Sequence, residues 1–172
     1  MKIKGMIILL GIVALGGQAC KSTHDLYTTP AASISSEKFL KSPFGHDESI
    51  ASFSKTLPTQ TTTKKLVRRN KHYPEKSDTI YQFKYKESEI FVYKSYFNKE
   101  ILMAGTVANP QIELANGLKT GITREQLYKT VSGVKQSEAD TLKLSTPEND
   151  RIFSFIFKKG KLKKITFASY YD

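Results

Sequence analysis

Groups able to move protons or bind metals are sparse in this chain of 172 residues. A nucleophile needs a base that a third group orients, and the three histidines offer no such arrangement. His24 lies in a Ser/Thr/Pro-rich stretch, His46 precedes a short amphipathic segment, and His72 sits beside Pro74 in a turn. Each reads first as a solvated side chain. No His/Cys/Asp/Glu cluster has metal-ligand spacing, and no glycine-rich loop follows a strand to cradle phosphate. Asp47-Glu48 is an adjacent acid pair, but it stands just ahead of a helix, where carboxylates serve as capping and dipole charges. The expectation is a non-catalytic protein without metal or cofactor.

Covalent chemistry is expected at one place, the single cysteine Cys20. Lys2 and Lys4 flank an apolar run, Met6–Leu15, that is too short to span a bilayer. Such a segment reads as a removable targeting signal. Gly16-Gly17-Gln18-Ala19 then lead into Cys20. Small residues before a lone cysteine resemble the lipobox of bacterial lipoproteins, where signal peptidase cuts before a diacylglycerol-bearing cysteine. This chain has Gly17 where that family usually carries Leu. The resemblance implies a signal peptide at 1–19, lipid (palmitate among the acyl chains) on Cys20, and a flexible tether over 20–45. Two or three acyl chains anchor a protein stably. The expected address is the cell envelope, at the outer membrane facing the periplasm. The plainer alternative is a secretory signal followed by an incidental thiol.

Two β-hairpins organise the rest. In Asp150–Phe167, Phe153, Phe155 and Phe157 alternate at the period of a strand, and Gly160 suits a tight turn. A three-residue loop would pair the phenylalanines with Ile165 and Phe167. A shift of 72 residues lays Asp78–Tyr93 on the same pattern, with Tyr81, Phe83 and Tyr85 over Phe153, Phe155 and Phe157. Flanking matches drift by one or two residues, as a tandem duplication would leave them; amphipathic hairpins also resemble one another by construction. Helices are expected over 49–57, with Ile50, Phe53 and Leu57 on one face, and from Thr123, whose spacing to Gln126 forms a capping box. Further strands are expected over 64–71, 100–108 and 138–145, the second of them buried on both faces. The fold class is α+β: tandem helix-plus-antiparallel-meander units, 46–115 and 116–172, forming one sheet with two short helices on one face.

The stretch Gly117–Gly133, G-L-K-T-G-I-T-R-E-Q-L-Y-K-T-V-S-G, resembles the SmpA/OmlA (BamE-type) modules of outer-membrane lipoproteins. Those place a glycine, an apolar residue and Thr at a helix start, followed by a three-stranded meander. Two such units in tandem are similar to the architecture of the β-lactamase inhibitory protein. The resemblance implies a fold that binds another envelope protein, through its outer sheet face, and does not catalyse.

With the aromatic face turned inward, the opposite face of the hairpins is expected to show Ile80, Gln82, Ile90 and Val92, then Ile152, Ser154, Ile156 and Leu162. Such a mixture is more apolar than a solvated face needs, so these residues are the expected partner site. They could instead be buried between the two repeats or under 100–108. The net charge of +11 is concentrated in two groups, Lys64–Lys71 and Lys158–Lys164. These suit a solvated, edge-protecting surface, an acidic protein, or anionic lipid and lipopolysaccharide. Nucleic acid is excluded for a secreted protein.

Overall fold

Burial of alternating apolar residues drives the two meanders into one antiparallel sheet. The computed structural model describes residues 33–170; the targeting segment, Cys20 and the first part of the expected tether lie outside them. In chain order the elements are β1 (Ile34–Ser35), α1 (Ser36–Lys41), α2 (Ile50–Thr56), β2 (Thr62–Arg69), β3 (Ser77–Tyr85), β4 (Ser88–Lys94) and β5 (Glu100–Val107). After a 3-10 turn at Ala115–Gly117 come α3 (Arg124–Thr130), β6 (Val131–Ser132), β7 (Thr141–Ser145), β8 (Arg151–Lys158) and β9 (Lys161–Ser169). A helix followed by an antiparallel meander thus occurs twice. Seven strands form a single sheet in the order β2-β3-β4-β5-β9-β8-β7, and β1 and β6 form a small parallel pair.

The helices start where the chain satisfies their free N–H groups. Ser35 and Ser49 each accept a bond from a first-turn amide, and Thr123 and Gln126 form the reciprocal capping box. All three helices press one face of the sheet. Phe53 of α2 meets Phe83 at 5.9 Å, and Phe39 of α1 meets Phe153 at 5.1 Å and Phe155 at 6.0 Å. Leu127 of α3 is fully buried. Phe39, Leu40 and Phe44 are core residues, so the body of the protein begins within the stretch expected to be a tether. Phe39 and Leu40 lie on a helix of 6 residues, too brief to show a period, and Phe44 follows it in a loop.

Both hairpin turns hold two residues, not three. Tyr85 pairs with Ser88 across Lys86-Glu87, and Lys158 pairs with Lys161 across Lys159-Gly160. Lys86, Lys159 and Gly160 take positive φ, as this tight turn requires. In the first hairpin the register then sets Phe83 opposite Ile90 and Tyr81 opposite Val92. Ile90 and Val92 are therefore core residues, not members of the outer face. In the second hairpin a bulge between Phe157 and Ile156 adds one residue to β9. Leu162 pairs with Phe157 inside the core, while Phe155 opposes Ile165 and Phe153 opposes Phe167 as expected.

β5 lies in the sheet plane between β4 and β9 and covers nothing. It is buried on one face only, through Leu102 and Val107. Its pairing with β9 joins the two meanders edge to edge, and it depends on Gly105. A Cβ there would stand 2.4 Å from Phe167 Cζ and 2.7 Å from the Glu89 carbonyl.

Candidate binding face of the sheet

No helix covers the second face of the sheet among the described residues, and its side chains line up in cross-strand rows. One row runs Lys64, Gln82, Phe91, Ala104, Ala168, Ile152, Ser145 across all seven strands. The next runs Thr62, Lys84, Glu89, Thr106, Thr166, Ser154, Lys143. On the other side of the first row stand Leu66, Ile80, Tyr93 and Ile101. Small residues occupy the central strands, with Phe91, Ile80 and Tyr93 on one flank and Ile152 and Ile156 on the other. Lys64, Lys84, Lys143 and Lys164 form a basic rim. Among the described residues of the sheet only Glu89 and, at one end, Asp78 oppose them, and Glu89 is engaged by Lys84 at 3.5 Å.

Of the eight expected partner residues, Ile80, Gln82, Ile152, Ser154 and Ile156 lie half-buried on this face. The structure removes Ile90, Val92 and Leu162 to the core, where each is at most 1% exposed. It adds Phe91, Tyr93, Ile101 and Ala104, which the expected register had turned inward or covered. In E-I-F-V-Y both alternating sets are apolar, so period alone does not choose between Ile90/Val92 and Phe91/Tyr93.

Two polar constructions stiffen one end of the sheet. Asp78 is buried, accepts both Asn70 Nδ2–H bonds at 3.0 and 2.9 Å, and accepts the Tyr96 amide at 2.9 Å. Burial opposes its ionisation, yet the bonds from Asn70, Tyr93 and the Tyr96 amide, with Arg68 nearby, outweigh it and hold its carboxyl below the usual range. Asp78 thereby clamps the β2–β3 and β4–β5 loops, on which Tyr73, Tyr96 and Phe97 form an exposed aromatic cluster. Lys76 Nζ stands 4.6 Å from the Tyr96 ring.

The second construction is a bidentate pair. Arg151 donates to both carboxylate oxygens of Glu48 at 2.8 Å and to the Leu40 carbonyl at 2.9 Å. Burial raises the Glu48 pKa, and the Arg151 bond and charge pull against that rise. Glu48 thus ties the segment before α2 to β8, while its neighbour Asp47 accepts the Ser49 hydroxyl at 2.8 Å and the Ser52 hydroxyl at the start of α2. Nothing in the local pattern announces a partner 103 positions away.

His46 packs its ring 5.3 Å from Phe53, gives its Nδ1–H to the Asp47 carbonyl, and has Nε2 3.1 Å from Thr56 Oγ1. His72 lies exposed in its turn. No group of three or more potential metal ligands exists among the described residues, and no described helix is long and apolar enough to cross a membrane. A groove of about 690 Å³ separates α1 from the β7–β8 turn, with Leu40, Pro147 and Arg151 among its walls. The chain matches no family model, no curated protein and no solved structure.

Proposed function

We propose that this protein is a non-catalytic lipoprotein of the cell envelope, anchored through Cys20, that binds another envelope protein on the uncovered face of its sheet. In this reading the two helix-plus-meander segments are tandem units of the SmpA/OmlA kind, set side by side so that their outer faces form one surface. The observation that carries it is a wide face with an apolar, small-residue centre and a lysine rim, left open although the opposite face is fully packed. The partner is a protein surface with an apolar projection and an acidic surround. Such a contact gains affinity from the apolar centre and orientation from the charges.

Crosslinking in the native envelope, followed by identification of what is captured, tests this. Ile156→Asp and Phe91→Asp should leave the protein folded and abolish capture of a defined protein. Val92→Asp, directed into the core, should unfold it. Retained capture by both surface variants, with folding intact, would remove the face from the reading. Mass spectrometry of the mature N-terminus tests the anchor, and an unmodified Cys20 rejects it.

A second reading, binding of anionic lipid or lipopolysaccharide, is favoured by the exposed Tyr73, Tyr96 and Phe97 beside Lys76. Aromatic side chains with neighbouring cations suit a membrane interface. Vesicles containing phosphatidylglycerol should then retain the protein, and Phe97→Ser should weaken retention.

A further inference from the structure

The rim of the sheet carries a feature that the broad face does not explain. β2 is its outermost strand, and beyond it no strand pairs among the described residues. An unpaired edge presents backbone N–H and C=O groups that can take up one more strand. Proteins blunt such edges with short strands, bulges, proline or charged side chains, and of these β2 has only the charges. β2 is 8 residues long, pairs with β3 without a register break, and contains no proline. All of it is exposed, with Leu66 at 50% and Val67 at 69%. The opposite edge, β7, has only 5 residues.

The order of side chains along β2 is nearly symmetric: Lys64-Lys65, Leu66-Val67, Arg68-Arg69. Because side chains alternate, each face of the strand shows cation, apolar, cation. Lys64, Leu66 and Arg68 lie on the outer face, opposite Gln82, Ile80 and Asp78. Lys65, Val67 and Arg69 lie on the inner one, opposite Tyr81, Thr79 and Ser77. Lys64, Lys65 and Arg69 join none of the ion pairs among the described residues.

We propose that β2 takes up an extended acidic peptide segment of a partner protein as an eighth strand, with two acidic residues, two branched apolar residues and two acidic residues in succession. Directly opposed side chains in neighbouring strands lie about 4.5–5.5 Å apart at Cβ. Carboxylates then meet Lys64 and Arg68 on one face and Lys65 and Arg69 on the other, while Val or Ile covers Leu66 and Val67. The symmetry of the pattern lets the segment run in either direction. It also bars the nearest competitor, a second copy of this chain. Antiparallel self-pairing centred on Leu66 sets Lys64 against Arg68, and self-pairing centred on Val67 sets Lys65 against Arg69; like charges directly opposed destabilise a ladder. The same cations that forbid self-association thus select an acidic strand. This site is the sheet's rim and is separate from the face proposed above, so either can fail alone.

The test uses the peptide acetyl-Thr-Glu-Glu-Val-Ile-Asp-Glu-Thr-amide and amide NMR of the protein. Shifts and slowed hydrogen exchange should be confined to 62–69 and the adjoining β3, and binding should weaken between about 50 and about 500 mM salt. Combined K64E, K65E, R68E and R69E should cut affinity about tenfold or more while β3 amides keep their native positions. A peptide of the same charge with proline at both apolar positions should not bind. Equal binding of the proline peptide, shifts centred on 158–164, or no binding at about 1 mM would overturn the proposal. So would β2 shifts produced by phosphatidylglycerol-containing vesicles and not by the peptide.

Discussion

At the scale of single residues, the costs concentrate where charge is buried with a partner. Arg151 and Glu48 each keep most of their surface from water, so removing one leaves the other uncompensated. Arg151→Ala should cost about 3–5 kcal/mol in thermal or denaturant unfolding. The cost should also depend on pH in a definite direction. Burial raises the Glu48 pKa, so its ionisation penalty is fully present above the folded value and absent below the ordinary glutamate value of about 4.3. Without Arg151 that rise grows, and the variant's deficit should shrink as pH falls toward 4.3. Asp78 has the opposite sign. Its pKa is lowered, so its contribution is present above the ordinary aspartate value of about 3.9 and is lost as pH falls through the lower folded value. Protection of the Tyr96 amide, measured against its intrinsic exchange rate at each pH, should fall over that acidic window. Unchanged protection would mean that the loops do not depend on the clamp.

Among the elements, register decides more than propensity. The bulge in β9 allows Leu162, Ile165 and Phe167 to share the core face although their spacings are three and two. Deleting Lys163 removes the extra residue but keeps every β8–β9 pair, because Leu162, Ile165 and Phe167 then alternate regularly on the core face. The deletion should therefore leave the second meander folded, and Lys163→Ala should change stability by less than about 0.5 kcal/mol. Leu127→Ala, under the sheet, should cost about 2–5 kcal/mol. Gly105→Ala forces a Cβ against Phe167 and the Glu89 carbonyl, and overpacking of this kind costs about 1–3 kcal/mol. Circular dichroism melts of the four variants rank these effects, and a neutral Gly105→Ala would contradict the close β5–β9 contact.

For the whole molecule, the joining of β5 to β9 makes one sheet of two meanders, and α1 carries Phe39 onto the second of them while Phe44 reaches Phe167 at 5.8 Å. The two segments share a single buried cluster. They should unfold in one transition, with calorimetric and van't Hoff enthalpies in agreement. Two resolved transitions would show that the units are stable alone and that the Arg151–Glu48 tie and the β5–β9 ladder are secondary.

What can be read along the chain is what depends on neighbours within a turn or a strand. The α+β class, the capping box at Thr123, the end of α2 before Pro58, and the inward aromatic sets of β3 and β8 all follow from local period and capping chemistry. Those signals are carried by residues one to four positions apart. The faces of β4 and the start of β9 depend on one residue of register. The two-residue turn at Lys86-Glu87 and the bulge near Lys163 settle it, and neither leaves a glycine signal at the deciding position. The partner of Glu48, the core role of Phe39 and Phe44, and the edge-to-edge joining of the meanders depend on contacts across most of the chain. Those contacts exist only once the sheet has closed over its core, because burial, not local preference, selects them.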